Sequence, residues 1–375
     1  VPYEDQLERK RRQVADAIAA ALGRSMRVAP TLGTPPGPDG MPWGFRQKAA
    51  FVFTHEPGKR GVLALGHYAR GSHRVVPIVE CPVHGDPANR LARALCDHLS
   101  RAGIRAAGPR LDGLVRHVVI RTSADGNEAV VMVVVTRNDK SLRAPLRAFA
   151  AAERPTGLLV NVNARPGPLM VGGETIRVEG VGHVMERSLP FPFLVAPAAF
   201  FQTNVRAAGT LVDCVIGEAD ARAQAAGRTL RILDLYAGSG LFALPLAVRG
   251  HVVMAVEENR QAVRDGLANQ RANHVAASRL RFVGARVEDA LFRARPFAAD
   301  LVVLDPPRQG CGTRVVRGVF RELAPDRAIY VSCDIGSLAA ELPTILEAGY
   351  RITRIQPIDM FPHTTHVETV VTVER

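Results

Sequence analysis

The chain has 375 residues, of which 47% are hydrophobic and 22% charged. That balance excludes disordered and collagen-like classes and fits two domains of about 100 to 200 residues each. Its longest apolar runs, such as residues 129–135, fall far short of the ~20 residues that span a bilayer, and the first dozen residues hold no apolar signal core, so a cytoplasmic protein without a membrane segment is expected. The formal net charge of +12 rests on arginine, since only four lysines occur. Codon bias accounts for part of this, but not for its placement. Residues 1–190 carry 27 basic against 17 acidic side chains, whereas residues 191–375 carry 21 against 19. A basic half joined to a nearly neutral one is the footprint of a nucleic-acid-binding domain beside a catalytic domain. The five cysteines, Cys81, Cys96, Cys214, Cys311 and Cys333, form no close pair and no metal-ligand spacing, which argues against a disulfide framework.

Residues 4–22 place Leu7, Val14, Ile18 and Leu22 at helical spacing and predict an amphipathic helix with a basic outer face. Residues 31–41, with three prolines and three glycines, predict a loop. From residue 45 to about 187 the pattern turns to short β-branched runs at 49–54, 62–68, 115–121, 129–136 and 157–163, with helical patterns at 89–102 and 141–152. This predicts a mixed α+β domain built on an antiparallel sheet. After Phe201, strands and helices alternate: 230–236, 242–248, 252–256, 261–273, 280–283, 301–304, 314–323, 328–332 and 338–348. That rhythm predicts a doubly wound, mostly parallel sheet, closed by two strands at 351–357 and 366–373 that pair antiparallel at an edge.

Ligands of such sheets bind beyond the carboxyl ends of the strands, and it is there that the informative residues fall. LRILDLYAGSG (230–240) runs an apolar strand into a turn containing Gly238 and Gly240. Asp234 lies inside the end of that strand, where an unpaired carboxylate is costly. Glu257 ends the next strand 23 residues later, where it can accept bonds from ribose hydroxyls. The pair suits a nucleoside-containing cofactor, and Ala243 in place of a third glycine disfavours a dinucleotide. LVVLDPPR (301–308) ends a third strand on Asp305 and a rigid Pro-Pro loop able to wall a pocket for a flat base, and AIYVSCD (328–334) sets Cys333 at the end of a fourth. Cys96 and Cys214 read as buried structural residues, and Cys311 as a less favoured nucleophile. Glu368 stands among Val367, Val370 and Val371, where desolvation raises a carboxyl towards the range of a working base. His363 and His366 read as local hydrogen-bonding residues without a third metal ligand.

Taken in order, FQTN (201–204), DLYAGSG (234–240), DPPR (305–308), SCD (332–334) and FPHTTHVE (361–368), with YEDQL (3–7) and GFRQK (44–48), resemble the bacterial RNA uridine C5-methyltransferases of rRNA and tRNA. The resemblance spans nearly the whole chain. It implies a class I, Rossmann-like methyltransferase domain over 191–375, preceded by a mixed α+β RNA-binding domain over 1–190. It also implies S-adenosylmethionine as cofactor, Cys333 as nucleophile and Glu368 as general base. Gln202, Tyr236, Glu257 and Asp305 match cofactor-contacting positions, and Gly238 and Gly240 form the cofactor turn. The layout is most similar to members acting on 23S rRNA, with tRNA as the alternative substrate, and implies a monomer whose partner is RNA. A non-catalytic RNA-binding protein with an idle methyltransferase domain is the rival from another class, disfavoured by the presence of both Cys333 and Glu368. Two departures stand out. Leu241 occupies a position where members often carry Asn, and only Cys81, followed by Pro82, matches the iron–sulfur ligands of cluster-bearing members. A cluster is therefore expected only in a longer form with upstream cysteines, not in this chain.

Overall fold

The computed structural model describes all of residues 1–375 except 38, 39, 60, 109, 110, 168, 169 and 190. Two of the excepted residues lie in the expected loop 31–41, and residue 190, the expected domain boundary, is also outside the described residues. The chain folds into two units, one of Val1–Pro36, Leu189–Pro192 and Phe200–Arg375, the other of Gly37–Ser188 and Phe193–Ala199.

Helix α1 (Tyr3–Leu22) opens the chain. The second unit follows with β1 (Lys48–His55), β2 (Leu63–Tyr68), β3 (Val75–Pro77), α2 (Asp86–Arg101), β4 (Val115–Thr122), β5 (Ala129–Val135), α3 (Arg143–Glu153), β6 (Gly157–Val162) and β7 (Glu174–Gly180). These strands form a seven-stranded sheet in the order β3-β2-β1-β4-β5-β6-β7. The sheet is not wholly antiparallel as expected, because β5 and β6 pair in parallel. The helix α3 between them supplies the crossover that a parallel pair requires. Leu91, Leu95 and Leu99 of α2 and Phe149 of α3 share one core with Val118, Ile120, Val131 and Val133 of the sheet. Each such fully buried side chain contributes about 1.5–3 kcal/mol. A small hairpin of β8 (Val184–Glu186) and β9 (Phe193–Val195) ends the unit.

The first unit resumes with α4 (Val205–Ala226), β10 (Arg231–Leu235), α5 (Ala243–Val248), β11 (Val252–Glu257), α6 (Arg260–Ala272), β12 (Leu280–Gly284), α7 (Val287–Ala294), β13 (Leu301–Leu304), α8 (Gly312–Arg317), β14 (Arg327–Ser332), α9 (Ile335–Glu347), β15 (Arg351–Ile358) and β16 (Glu368–Glu374). Its sheet order is β12-β11-β10-β13-β14-β16-β15, the doubly wound Rossmann-like arrangement expected from the alternation. β15 and β16 pair antiparallel at one edge of the sheet, as expected. β16 enters between β14 and β15, antiparallel to both, and β15 takes the edge.

Helix α1 does not belong with the basic half. Val14 and Ile18 are fully buried in one core with Leu338, Leu342 and Ile345 of α9. Apolar burial, not proximity in sequence, decides which unit an amphipathic helix joins. Residues 1–36 therefore pack with the doubly wound sheet, and the expected division into 1–190 and 191–375 is moved accordingly.

Candidate active site

The carboxyl ends of β10, β11, β13 and β14, with the first residue of the antiparallel β16, bring most of the sequence-selected side chains to one edge of the sheet. Asp234 is paired on one side with Ala255 and on the other with Val303. It is fully buried, and neither carboxyl oxygen makes a full hydrogen bond among the described residues, although the Ala243 amide lies near enough to favour its charge. Burial first, then the neighbouring Asp305, pushes its carboxyl well above the ordinary range.

The turn that follows has three left-handed residues: Tyr236 at φ 63°, Gly238 at 55° and Gly240 at 93°. A tyrosine in this region is an outlier that the surrounding structure must hold in place. Part of that hold is visible. The Gly238 amide donates to Glu257 Oε2 at 2.9 Å, and the Asn259 amide donates to Oε1 of the same carboxylate at 2.7 Å. Gly240 has a second reason to be glycine, since a Cβ there would lie 3.1 Å from the Phe282 ring and 3.2 Å from Leu244. Leu241 is buried beside the turn.

Asp305 follows β13, and its amide donates to the Leu235 carbonyl at 3.2 Å. Burial raises its carboxyl above the ordinary range. Cys333 lies between the last residue of β14 and the cap of α9. The Ser332 hydroxyl donates to the Asp334 carbonyl at 2.9 Å, and Asp334 Oδ1 accepts from the Ser337 amide at 2.9 Å, capping the helix. The local sequence Ser-Cys-Asp thus makes a strand-to-helix corner with the thiol at its apex, half-buried. Burial, then Glu368 and Asp305, push that thiol up to about 11, while Arg308 pulls it back. Glu368 is buried, and its carboxyl is raised by burial and by Asp305, again opposed by Arg308.

The ladder explains this coupling. Ser332 pairs with Thr369 at the end of the β14–β16 ladder, so Cys333 and Glu368 are the next residues on either side. Cys311 is different: it is buried, near Tyr236, Tyr330 and Glu341, and burial drives its thiol far up. Tyr236, half-buried and hydrogen-bonded with Cys311, has its phenol raised by burial. Gln202 is half-buried two residues before Asn204.

Several residues that support the site escape the sequence reading. Lys10, on the face of α1 expected to be solvated, is buried and donates to Asp359 Oδ1 at 2.6 Å and to the Phe361 carbonyl at 3.0 Å. The Tyr3 hydroxyl donates to Asp359 Oδ2 at 2.9 Å and accepts from the Thr34 amide at 2.7 Å. Asn204 caps α4 and also donates to Thr34 Oγ1 and to the Met360 carbonyl. Gln6 accepts from the His363 amide at 2.9 Å. Together these bonds clamp the segment 359–363 that leads into Glu368. The only sequence signal was that Tyr3, Gln6 and Asn204 fall inside the short shared motifs.

Cys81 belongs to the other unit. It has no metal-ligand spacing to another cysteine, and the fold brings it together with His67 and His84, two histidines that cysteine spacing does not reveal.

Residues 121–375 match the family model described as tRNA (Uracil-5-)-methyltransferase. The chain belongs to that family. Among relatives of this methyltransferase, an uncharacterized RNA methyltransferase of Thermosynechococcus vestitus is 33% identical over 383 residues, covering 99% of this chain and 79% of its own. One of Gloeobacter violaceus is 31% identical over 380 residues, covering 100% and 79%. Among solved structures, the tRNA (uracil-54, C5)-methyltransferase of Pyrococcus abyssi, in complex with S-adenosyl-L-homocysteine, matches with a TM-score of 0.81 and 27% identity. The match covers 100% of this chain and 84% of that one.

Proposed function

We propose that this methyltransferase transfers a methyl group from S-adenosylmethionine to carbon 5 of a uridine in structured RNA, with Cys333 as nucleophile and Glu368 as general base. The observation that carries the reading is the β14–β16 register, which leaves thiol and carboxyl adjacent beside Asp305. The residues beyond β10 and β11 suit a nucleoside-bearing methyl donor. They offer a buried carboxyl at Asp234 that makes no full hydrogen bond among the described residues, left-handed glycines that let the backbone approach a ligand, and Glu257 fixed at the end of its strand. When bound there, S-adenosylmethionine supplies an activated methyl group. Gln202, Tyr236, Gly238, Gly240, Glu257 and Asp305 are the residues proposed to hold it.

Carbon 5 of uracil is a weak nucleophile. Addition of the Cys333 sulfur to carbon 6 breaks the ring double bond and shifts its electron pair towards carbon 5 and the carbonyl at carbon 4. Arg308, whose charge favours the ionised forms of both Cys333 and Glu368, aids the formation of the thiolate. After carbon 5 has gained its methyl group, Glu368 removes the proton still attached there. The electron pair restores the double bond and expels the sulfur. The uridine must leave its stack to be reached, and the basic Gly37–Ser188 unit is proposed to hold the surrounding RNA.

For the RNA itself, the first reading is 23S rRNA, which rests on the resemblance of the motifs alone. A second reading, tRNA, is favoured by the substrate named for the Pyrococcus abyssi neighbour. Incubating the purified chain with 23S rRNA fragments and tRNA transcripts and a labelled methyl donor separates them. The test of the chemistry is a trap. Glu368→Gln should accumulate a labelled protein–RNA adduct that survives denaturing electrophoresis, and adding Cys333→Ala should abolish it. An adduct that persists without Cys333, or needs Cys311 instead, overturns the assignment, and absence of any methyl transfer to either RNA leaves the non-catalytic RNA-binding reading.

A further inference from the structure

Between β13 and α8 the chain runs through residues 305–311, and the later part of this loop is fastened to one face of α9. The Ser337 hydroxyl donates to the Arg308 carbonyl at 2.7 Å. One turn further along the helix, Glu341 Oε1 accepts from the Gly312 amide at 2.7 Å. Residues four apart share a helix face, so Ser337 and Glu341 hold the two ends of the stretch 308–312. Gly310 lets that stretch lie close against the face. It is left-handed at φ 80°, and a Cβ there would stand 2.6 Å from Glu341 Oε1 and 3.4 Å from the Ser337 Cβ. Its amide donates to the Pro307 carbonyl at 2.8 Å, which closes a turn.

The second Glu341 oxygen ties the same latch to the strand that ends at the Cys333 corner. Oε2 accepts from the Tyr330 hydroxyl at 2.7 Å, and Tyr330 is buried within β14. The start of α9 is fixed by the Asp334 cap. Loop, strand and helix are thus joined around Cys333 by bonds that Ser337 and Glu341 make. What the loop carries there is Arg308. Its side chain is exposed, so its place is set by the backbone that bears it.

We propose that Ser337 and Glu341 are positioning residues that latch residues 308–312 to α9 and so hold the Arg308 guanidinium beside Cys333 and Glu368. The consequence for catalysis rests on the reading of Cys333 as nucleophile, whereas the effect on the thiol does not. Three charged groups act on that thiol. Glu368 from β16 and Asp305 from the end of β13 oppose its ionisation, and Arg308 favours it. If Arg308 swings away, the thiol becomes harder to ionise. Loss of the Glu341 charge alone acts in the opposite sense, because removing an anion eases the ionisation of a thiol. The two effects are separated by their sign.

The test is the rate at which iodoacetamide alkylates Cys333 in the full chain, read by peptide mass spectrometry, with Cys81 of the other unit as internal reference. The thiolate is the reacting form, so the rate follows its fraction. Arg308→Gln should slow Cys333 at least about threefold at about pH 8 relative to Cys81, even though Glu368 gains a proton more easily without the cation and returns part of the effect. Ser337→Ala and Glu341→Leu should slow it in the same direction. Ser337→Thr keeps the hydroxyl and Glu341→Gln keeps an acceptor, so both should slow it less. In the Arg308→Gln background, Ser337→Ala and Glu341→Leu should have no further effect. Ser337→Ala removes a single hydroxyl from a half-buried residue and carries the test if Glu341→Leu does not fold. Unchanged or faster alkylation in these variants overturns the proposal, since a corner that is merely loosened exposes the thiol. Losses that add to that of Arg308→Gln overturn it too, as does an Arg308→Gln protein that reacts like wild type. No RNA or methyl donor enters the reaction, so slowed alkylation in the variants of a protein that methylates neither RNA supports the latch and counts against the nucleophile.

Discussion

Ser332 and Thr369 face one another at the end of the β14–β16 ladder, and the next residue on each side is ionisable: Cys333 after β14, Glu368 at the start of β16. Because β16 runs against its neighbours, its first residue meets the carboxyl end of β14. The carboxyl and the thiol therefore share one electrostatic environment, in which each ionised group disfavours the other and both are desolvated.

That environment predicts a stability cost. The Glu368 carboxyl is raised in the folded state, so between its ordinary value of about 4.5 and its raised value the folded chain binds more protons than the unfolded chain. Its contribution to stability therefore falls as pH rises through that window. Glu368→Gln should stabilise the protein, by about 1–2 kcal/mol at mildly alkaline pH and by less at acidic pH. Urea titrations of both proteins at several pH values check this, and a stabilisation that shrinks with rising pH contradicts it.

The same shift governs turnover. Glu368 must be ionised to take the carbon 5 proton, so release of methylated RNA in a single turnover should quicken as pH rises from about 6 to about 8.5. Rapid-quench measurements of the wild-type protein should show this limb. A rate independent of pH over the range would separate Glu368 from the proton-removal step.

Lys10→Met should destabilise the first unit by roughly 3–5 kcal/mol, since it leaves Asp359 buried without its ammonium partner. Asp359→Asn on top of Lys10→Met should recover part of the loss. The double-mutant cycle, read by denaturant unfolding, measures the coupling. Independent, additive losses would show that the two residues do not act as a pair.

RNA affinity should fall at least about tenfold between low and physiological salt, because neutralised phosphates release counterions. Charge-reversing substitutions among the arginines of Gly37–Ser188 should flatten that slope. A salt-independent dissociation constant would argue against the basic unit as the RNA-binding surface.

The strand-end motifs were legible because short, apolar, β-branched runs ending in Asp234, Glu257, Asp305 and Cys333 are local patterns. What the sequence hid was order in space. Nothing in residues 366–373 tells that β16 slips between β14 and β15, since strand order is set by pairings far apart in the chain. Helix α4 went unread because VRAAGTLVDCVIGEADARAQAA is rich in small residues that blur the apolar period, although Asn204 is a good cap. β7, mostly exposed, lacks the alternation that marks a half-buried strand. Lys10 looked like an outer-face residue because its partner lies 349 positions away. Spacing among cysteines says nothing of the groups near Cys81, which are the imidazoles of His84, three residues on, and of His67, brought in by a strand pairing.

The clamp that Tyr3, Gln6 and Lys10 place on residues 359–363 also sets an order of events during synthesis. α1 is made long before the segment 359–363, and Lys10 must wait 349 residues for Asp359 to emerge and pair with it. β16 then fills the slot between two strands made before it. A nascent chain that stops after α9 but short of residue 359 has the glycine turn and the Cys333 corner but neither Glu368, proposed above as the base, nor the segment that leads into it. Premature termination should thus yield an inert product that exposes the apolar seam of α1 to chaperones and proteases, and not a partly active methyltransferase.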